Sequence, residues 1–166
     1  MAHSVVRIDK MLGVNEETYL VSLKFATKSG SDYTPAGIDN GRPVLIDAVI
    51  PGERELHWGI APAANTPMNK IAVVTTPELM DYNHALDQYT NAADTVARGH
   101  FLHSGDEFSV TADALDGTPT IGALVELEAG TKWKVVSSAT GGSTQIGYIK
   151  YTETAGNYTY WTIHVN

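Results

Sequence analysis

Two consecutive segments near the C-terminus constrain the fold more than any other feature of this sequence. In the first, "GALVELEAGTKWKVV" (residues 122–136), apolar and charged residues alternate on both sides of a short Gly-containing loop, Ala129-Gly130-Thr131. Pairing Glu126 with Lys134 also places Leu127 opposite Trp133, so that opposite charges meet on one face and apolar side chains meet on the other. We therefore expect a β-hairpin with a three-residue loop here.

The second segment, "GYIKYTETAGNYTYWTIHV" (residues 147–165), repeats the pattern. A three-residue loop Ala155-Gly156-Asn157 places Tyr151 opposite Trp161 and Ile149 opposite Ile163, which predicts a buried Trp161. The opposite face of this hairpin is then an interaction surface formed by Tyr148, Lys150, Tyr158, Tyr160 and His164. Such a face is consistent with a plain solvent-exposed sheet, with a protein contact, or with aromatic stacking on a sugar ring.

The first half of the chain also contains strand patterns. "TYLVSLKF" (residues 18–25) alternates polar and apolar residues, and "KIAVVT" (residues 70–75) has the continuous apolar run of a buried strand. Between them, the Gly-, Ser-, Asp- and Pro-rich segment Ala26–Pro43 predicts a long loop, and a loop of that length is a candidate contact arm.

One helix is expected, over about residues 77–92. Thr76 stands at an N-cap position with Pro77 after it, and Leu79, Tyr82 and Leu86 recur at helical spacing. The fold class is therefore mainly β with one α-helix (α+β), with a small antiparallel β-barrel or sandwich in the C-terminal half. Residues 1–97 would form an N-terminal part with the arm, strands and helix, and residues 98–166 the barrel or sandwich, unless both belong to one compact unit.

Charge and composition exclude several functions. The chain has 19 acidic residues against 11 Lys and Arg, a formal charge of −8, and its basic residues are scattered, so we expect no nucleic-acid partner. It has no cysteine, which excludes disulfides and thiol catalysis. No signal-peptide pattern and no apolar run of membrane-spanning length occur, so we expect synthesis in the cytoplasm and no membrane association.

Catalysis is not expected. His100, His103, Asp106 and Glu107 could together bind a divalent metal, but residues three apart on a strand point to opposite faces. No nucleophile elbow or carboxylate dyad motif is present. We therefore expect no enzyme, no catalytic or metal residues and no cofactor, with a metal-dependent hydrolase at His100 and His103 as the weakest alternative.

Several segments, in order, resemble small proteins encoded among the head genes of tailed bacteriophages. They are "VTTPELMDYN", "AADTVARGHFLHSGDEFSVTADALDG", "GALVELEAGTKWKVV" and "IGYIKYTETAGNYTYWTIHV". The resemblance covers about residues 70–165 and implies a capsid decoration (cement) protein on the virion surface, a homo-oligomer, most simply a trimer, whose partner is the major capsid protein. Contacts with the capsid would come from the residues before Thr18 or from the Ala26–Pro43 loop. The alternative is a carbohydrate- or receptor-binding β module that uses the tyrosine face.

Overall fold

The structure, a computed structural model, is mainly β, with half of its residues in strands. It describes residues 3–12, 19–78 and 85–166, with the backbone alone for residues 8–12. The strands are β1 Val6–Leu12, β2 Leu20–Ser29, β3 Asp32–Pro35, β4 Pro43–Val49, β5 Leu56–Ile60, β6 Ile71–Val74, β7 Ala97–Phe101, β8 Glu107–Thr111, β9 Leu115–Asp116, β10 Leu124–Leu127, β11 Trp133–Val136, β12 Gln145–Ala155 and β13 Tyr158–Val165.

These strands form two sheets. A seven-stranded sheet has the order β1-β8-β13-β12-β10-β11-β9, and all of its pairs are antiparallel except β9–β11. A six-stranded sheet has the order β3-β2-β5-β4-β6-β7, and a further pairing of β7 with β2 joins β2, β5, β4, β6 and β7 into a closed ring. β7 therefore belongs with the N-terminal strands, while β1 belongs to the C-terminal sheet. The division of the chain at residue 97 stays a prediction.

The short strand β6 contributes to both apolar cores. Ile71 and Val73 pack with the buried face of the seven-stranded sheet, whereas Ala72 and Val74 point into the core of the ring. All four side chains are buried. This two-sided burial accounts for the unbroken apolar run in the sequence, because a strand that is covered on both faces has no polar side.

The hairpin β10–β11 confirms its predicted register. Glu126 lies opposite Lys134 and Leu127 opposite Trp133. The Lys134 Nζ donates to Glu126 Oε1 at 3.1 Å, and Trp133 is fully buried. The Trp133 indole Nε1–H also donates to the carbonyl of Gly41 at 2.7 Å, which ties the seven-stranded sheet to the connection before β4.

The predicted helix is wrong for the described residues. Residues 75–78 are irregular, and residues 85–92 contain a 3₁₀ turn, Leu86–Gln88, and an isolated β-bridge from Asn91 to Ile38. Distant partners take backbone groups that a helix would use: Asn91 exchanges both backbone hydrogen bonds with Ile38 at 2.9 Å, and the carbonyl of Asp87, the helical acceptor for the Asn91 N–H, accepts from the His3 N–H at 2.9 Å. Residues 79–84, the middle of the predicted helix, lie outside the described residues. The fold is therefore two β-sheets without an α-helix in the described part of the chain, and the C-terminal barrel or sandwich stays a prediction.

The predicted loop Ala26–Pro43 is also corrected. β2 continues to Ser29, turns at Gly30-Ser31 and returns as β3. Residues 27–35, which we call the β2–β3 arm, are exposed except for Tyr33, which is partly buried, whereas Ile38 and Asn40 are buried. The described N-terminal residues also do not form a loose arm, because Val5 and Val6 are buried and β1 pairs with β8.

Within the described residues there is no helix with the length and apolar character needed to cross a bilayer.

Candidate interaction surface

The five residues of the predicted interaction surface lie on one hairpin but do not form one surface. All of them belong to β12 and β13. Tyr148, Lys150 and His164 gather around Glu107 of the neighbouring strand β8, whereas Tyr158 and Tyr160 lie towards the tip of the hairpin. These two groups have different environments.

A β-bulge at Lys150 divides them. Gly147 pairs with Val165 and Ile149 with Ile163, as predicted, but Tyr151 then pairs with Thr162 instead of Trp161. One extra residue in β12 shifts every later pair by one, and the loop shortens to Gly156-Asn157. The predicted Tyr151–Trp161 pair is therefore wrong.

Glu107 is the centre of the first group. Its side chain is almost fully buried, and its Oε1 accepts from the Lys150 ammonium and contacts Nδ1 of His164 at 3.1 Å. The Lys150 hydrogen bond lowers the pKa of the Glu107 carboxyl, with a smaller contribution from His164, and the same contact raises the pKa of Lys150. Tyr148 lies beside the imidazole, with ring centroids 5.2 Å apart. The group is thus a satisfied ion-pair cluster with a partly exposed rim.

The second group is largely occupied by internal contacts. Tyr160 is only 2% exposed, and the Arg7 guanidinium lies 5.5 Å from its ring centroid. The hydroxyl of Tyr158 donates to Asp87 Oδ1 at 3.1 Å. The prediction of an exposed Tyr160 opposite a buried Trp161 is wrong, because Tyr160 is covered and Trp161 is only partly buried against the core. Tyrosine rings in this arrangement do not present an open stacking platform.

The chemistry available at Glu107 is limited. The Glu107 carboxylate occupies the hydrogen-bonding position at Nδ1 of His164. The other ring nitrogen, Nε2, is left for proton transfer or for a further hydrogen bond. The hydroxyl groups on the same face are already used: Ser109 Oγ and Thr162 Oγ1 lie 2.7 Å apart and are both fully buried. The arrangement suits a structural or contact role better than nucleophilic catalysis.

The four residues considered for a metal site do not converge. His100 is buried and hydrogen-bonded to the Thr75 hydroxyl, and burial together with the nearby Arg98 charge lowers its pKa to about 4. His103 is exposed and lies against the ring of Tyr19. Asp106 Oδ2 accepts from the backbone N–H of His103, and Glu107 belongs to the cluster above. In the described ranges no three His, Cys, Asp or Glu side chains group as metal ligands.

The sequence brought Glu107 to attention only beside His100, His103 and Asp106, and it did not connect Glu107 with His164. The pairing that matters is Glu107 with His164 across β8 and β13, which are separated by more than 45 residues in the chain. The sequence did show Glu107 in one predicted strand and His164 in another, which are residue types that can form an ion pair. No local feature of the sequence indicated that these two strands are neighbours in the sheet.

Comparison with known protein families, with curated proteins and with solved structures finds no match to this chain.

Proposed function

We propose that this protein is a virion structural component, a decoration protein that binds the outer surface of a tailed-phage capsid as a homo-oligomer, most simply a trimer. The observation that carries the proposal is the order of sequence segments between residues 70 and 165, which resembles phage head proteins. On this proposal the partner is the major capsid protein, and the C-terminal half is a small antiparallel barrel or sandwich. The packing of Ile71 and Val73 against the seven-stranded sheet supports two layers.

The β2–β3 arm supplies a contact element for this role. Its residues Thr27–Asp32 are exposed, and its outer strand β3 is the last strand on that side of the six-stranded sheet. Lys28 ties the arm back to the body, since its Nζ lies 2.6 Å from Asp47 Oδ2. A hairpin that is ordered before binding loses less conformational entropy on the capsid than a flexible loop would. An oligomer multiplies the effect, because each further arm engages at a high effective concentration.

The test uses the purified protein and expanded, undecorated capsids from the phage whose genome encodes it. We expect an oligomer by sedimentation, co-sedimentation with the capsids, and a higher temperature of capsid disruption, because the protein binds the assembled lattice and not free subunits. The proposal would be wrong if the protein is a monomer that does not co-sediment with the capsids and does not change their heat resistance.

The contact element is tested with matched variants. The double substitution Ser29→Arg/Ser31→Arg places two large charged side chains on the arm, and Ser137→Arg/Ser138→Arg places the same change on another exposed segment. We expect the first to weaken capsid binding by at least about tenfold, which corresponds to about 1.4 kcal/mol, and the second to leave it unchanged. Truncation of the first 17 residues is not a clean test, since it removes β1 and the buried Val5 and Val6.

The alternative, a carbohydrate- or receptor-binding β module, now rests on Tyr148, Lys150 and His164. Of the predicted tyrosines, Tyr160 is buried and Tyr158 is hydrogen-bonded to Asp87, which reduces the stacking surface. A glycan array tests this alternative: specific binding that Tyr148→Ala abolishes would favour it over the decoration role.

A further inference from the structure

A groove on the ring of the six-stranded sheet combines exposed apolar side chains with two arginines that form no ion pair with any residue that the structure describes. It has a volume of about 550 Å³ and continues into a second hollow of about 650 Å³ that shares Ser22, Arg54 and Glu55 with it. We call the two hollows together the arginine groove. Ser22 of β2 pairs with Arg98 of β7 on one side and with Leu56 of β5 on the other. Because serine is small, it leaves space between its larger neighbours.

The two arginines of this groove differ from most basic side chains of the protein. Arg54 and Arg98 are exposed, and neither side chain makes an ion pair or hydrogen bond to another described residue. Basic side chains that do form ion pairs with carboxylates are those of Arg7, Lys24, Lys28, Arg42, Lys134 and Lys150. In a chain with a formal charge of −8, it is unusual that two guanidinium groups of one groove lie beyond ion-pair distance of every described carboxylate, including those of Glu53 and Glu55, since arginine is the basic residue best suited to bidentate carboxylate binding.

Apolar surface lies beside these charges. Leu20 is 38% exposed and lines the first hollow, Val96 is 55% exposed and lines the second, and Phe101 is a partly buried wall of the first. Arginine and aromatic side chains such as Phe101 are enriched in protein interfaces, and exposed aliphatic side chains beside them add apolar surface that a partner can bury.

We propose that the arginine groove binds an extended segment of a partner protein that places a carboxylate against Arg54 and Arg98 and an apolar side chain against Leu20 and Val96. Glu53 and Glu55 also line the groove. A uniformly anionic polymer such as a nucleic acid would be repelled by them, whereas a peptide with one or two carboxylates can avoid them. The proposal is independent of the virion role and would hold for a partner of any origin.

The test is selection of a phage-displayed library of random dodecapeptides against the wild-type protein, followed by affinity measurement with the selected peptides as synthetic probes. We expect the enriched peptides to carry Asp or Glu close to an apolar residue. Binding should fall at least about tenfold in the double variant Arg54→Glu/Arg98→Glu and also weaken in added salt.

A matched control separates a local contact from bulk charge. Lys70→Glu/Lys132→Glu makes the same change in net charge at two other exposed positions and should bind the peptides as the wild type does. Unchanged circular dichroism and urea midpoints establish that both variants are folded. Three results would overturn the proposal. The selected peptides could lack enrichment of acidic residues near apolar ones, both double variants could lose peptide affinity equally, or peptide binding could survive Arg54→Glu/Arg98→Glu. Equally strong binding of the wild type to phosphatidylglycerol vesicles, lost in the same double variant, would assign the groove to anionic lipid and overturn it as well.

Discussion

Gly147 is the position where the smallest substitution should do the most damage. It lies in β12 between β10 and β13, opposite Val125 on one side and Val165 on the other. A Cβ built on Gly147 would stand 1.7 Å from the carbonyl oxygen of His164 and 2.8 Å from its carbonyl carbon. Both are backbone atoms of a strand that is hydrogen-bonded on its two sides, so no side chain can rotate away to make room.

The magnitude follows from that geometry. Overpacking in a well-packed interior costs about 1–3 kcal/mol when neighbours can adjust, and more when they cannot. Relief of a 1.7 Å contact requires β13 to move relative to β12, so we expect Gly147→Ala to lower the free energy of unfolding by more than about 3 kcal/mol. For a chain of this size that corresponds to a fall in melting temperature of at least about 6 °C.

Gly141→Ala is the matched control. No atom lies within 4 Å of a Cβ added there, so the same methyl group should change stability by less than about 1 kcal/mol and could stabilise by restricting the unfolded chain. Urea unfolding followed by tryptophan fluorescence measures both variants. A Gly147→Ala protein within 1 kcal/mol of the wild type would refute the close approach of β12 and β13.

Three further outcomes are expected. The pKa of His100 is about 4 in the folded protein and near 6.5 in the unfolded chain, so the unfolded state binds the proton more readily. About 3 kcal/mol of stability that is present above pH 6.5 should therefore be lost as the pH falls towards 4. Urea unfolding of His100→Gln across this pH range should lack the loss. Trp133→Phe removes the donor to the Gly41 carbonyl and should cost about 1–3 kcal/mol in urea unfolding. Tyr160→Ala should lower the free energy of unfolding by about 3–5 kcal/mol, and Thr159→Ala, at the exposed neighbouring position, should lower it far less. If thermal denaturation shows equally small losses for both variants, Tyr160 is exposed and the pairing of β12 with β13 has no bulge.

Local pattern determined the elements whose stabilising partners are close in the chain. The β10–β11 register followed from charge and apolar matching across three loop residues, because both strands carry their own pairing information. The alternation over residues 18–25 predicted a strand with one apolar face, and Val21, Leu23 and Phe25 of that face are buried in the core of the ring, since a two-residue period is a property of the strand itself.

Tertiary structure decided what depends on distant partners. Residues 77–92 have a capped, periodic helix pattern, yet Ile38 and His3 take the backbone groups of Asn91 and Asp87 that a helix would join to each other. Tertiary contacts of this kind outweigh helix propensities of a few tenths of a kcal/mol per residue.

The predicted interaction surface also does not form as one surface because of contacts with residues that are distant in the chain. The sequence identified the hairpin that carries Tyr148, Lys150 and His164, but the bulge at Lys150 changed the later pairs. Burial of Tyr160 and the meeting of Glu107 with His164 depend on β1 and β8 lying beside this hairpin. A strand pattern specifies which side chains share a face, whereas the strands and loops that cover that face are set only when the whole chain folds.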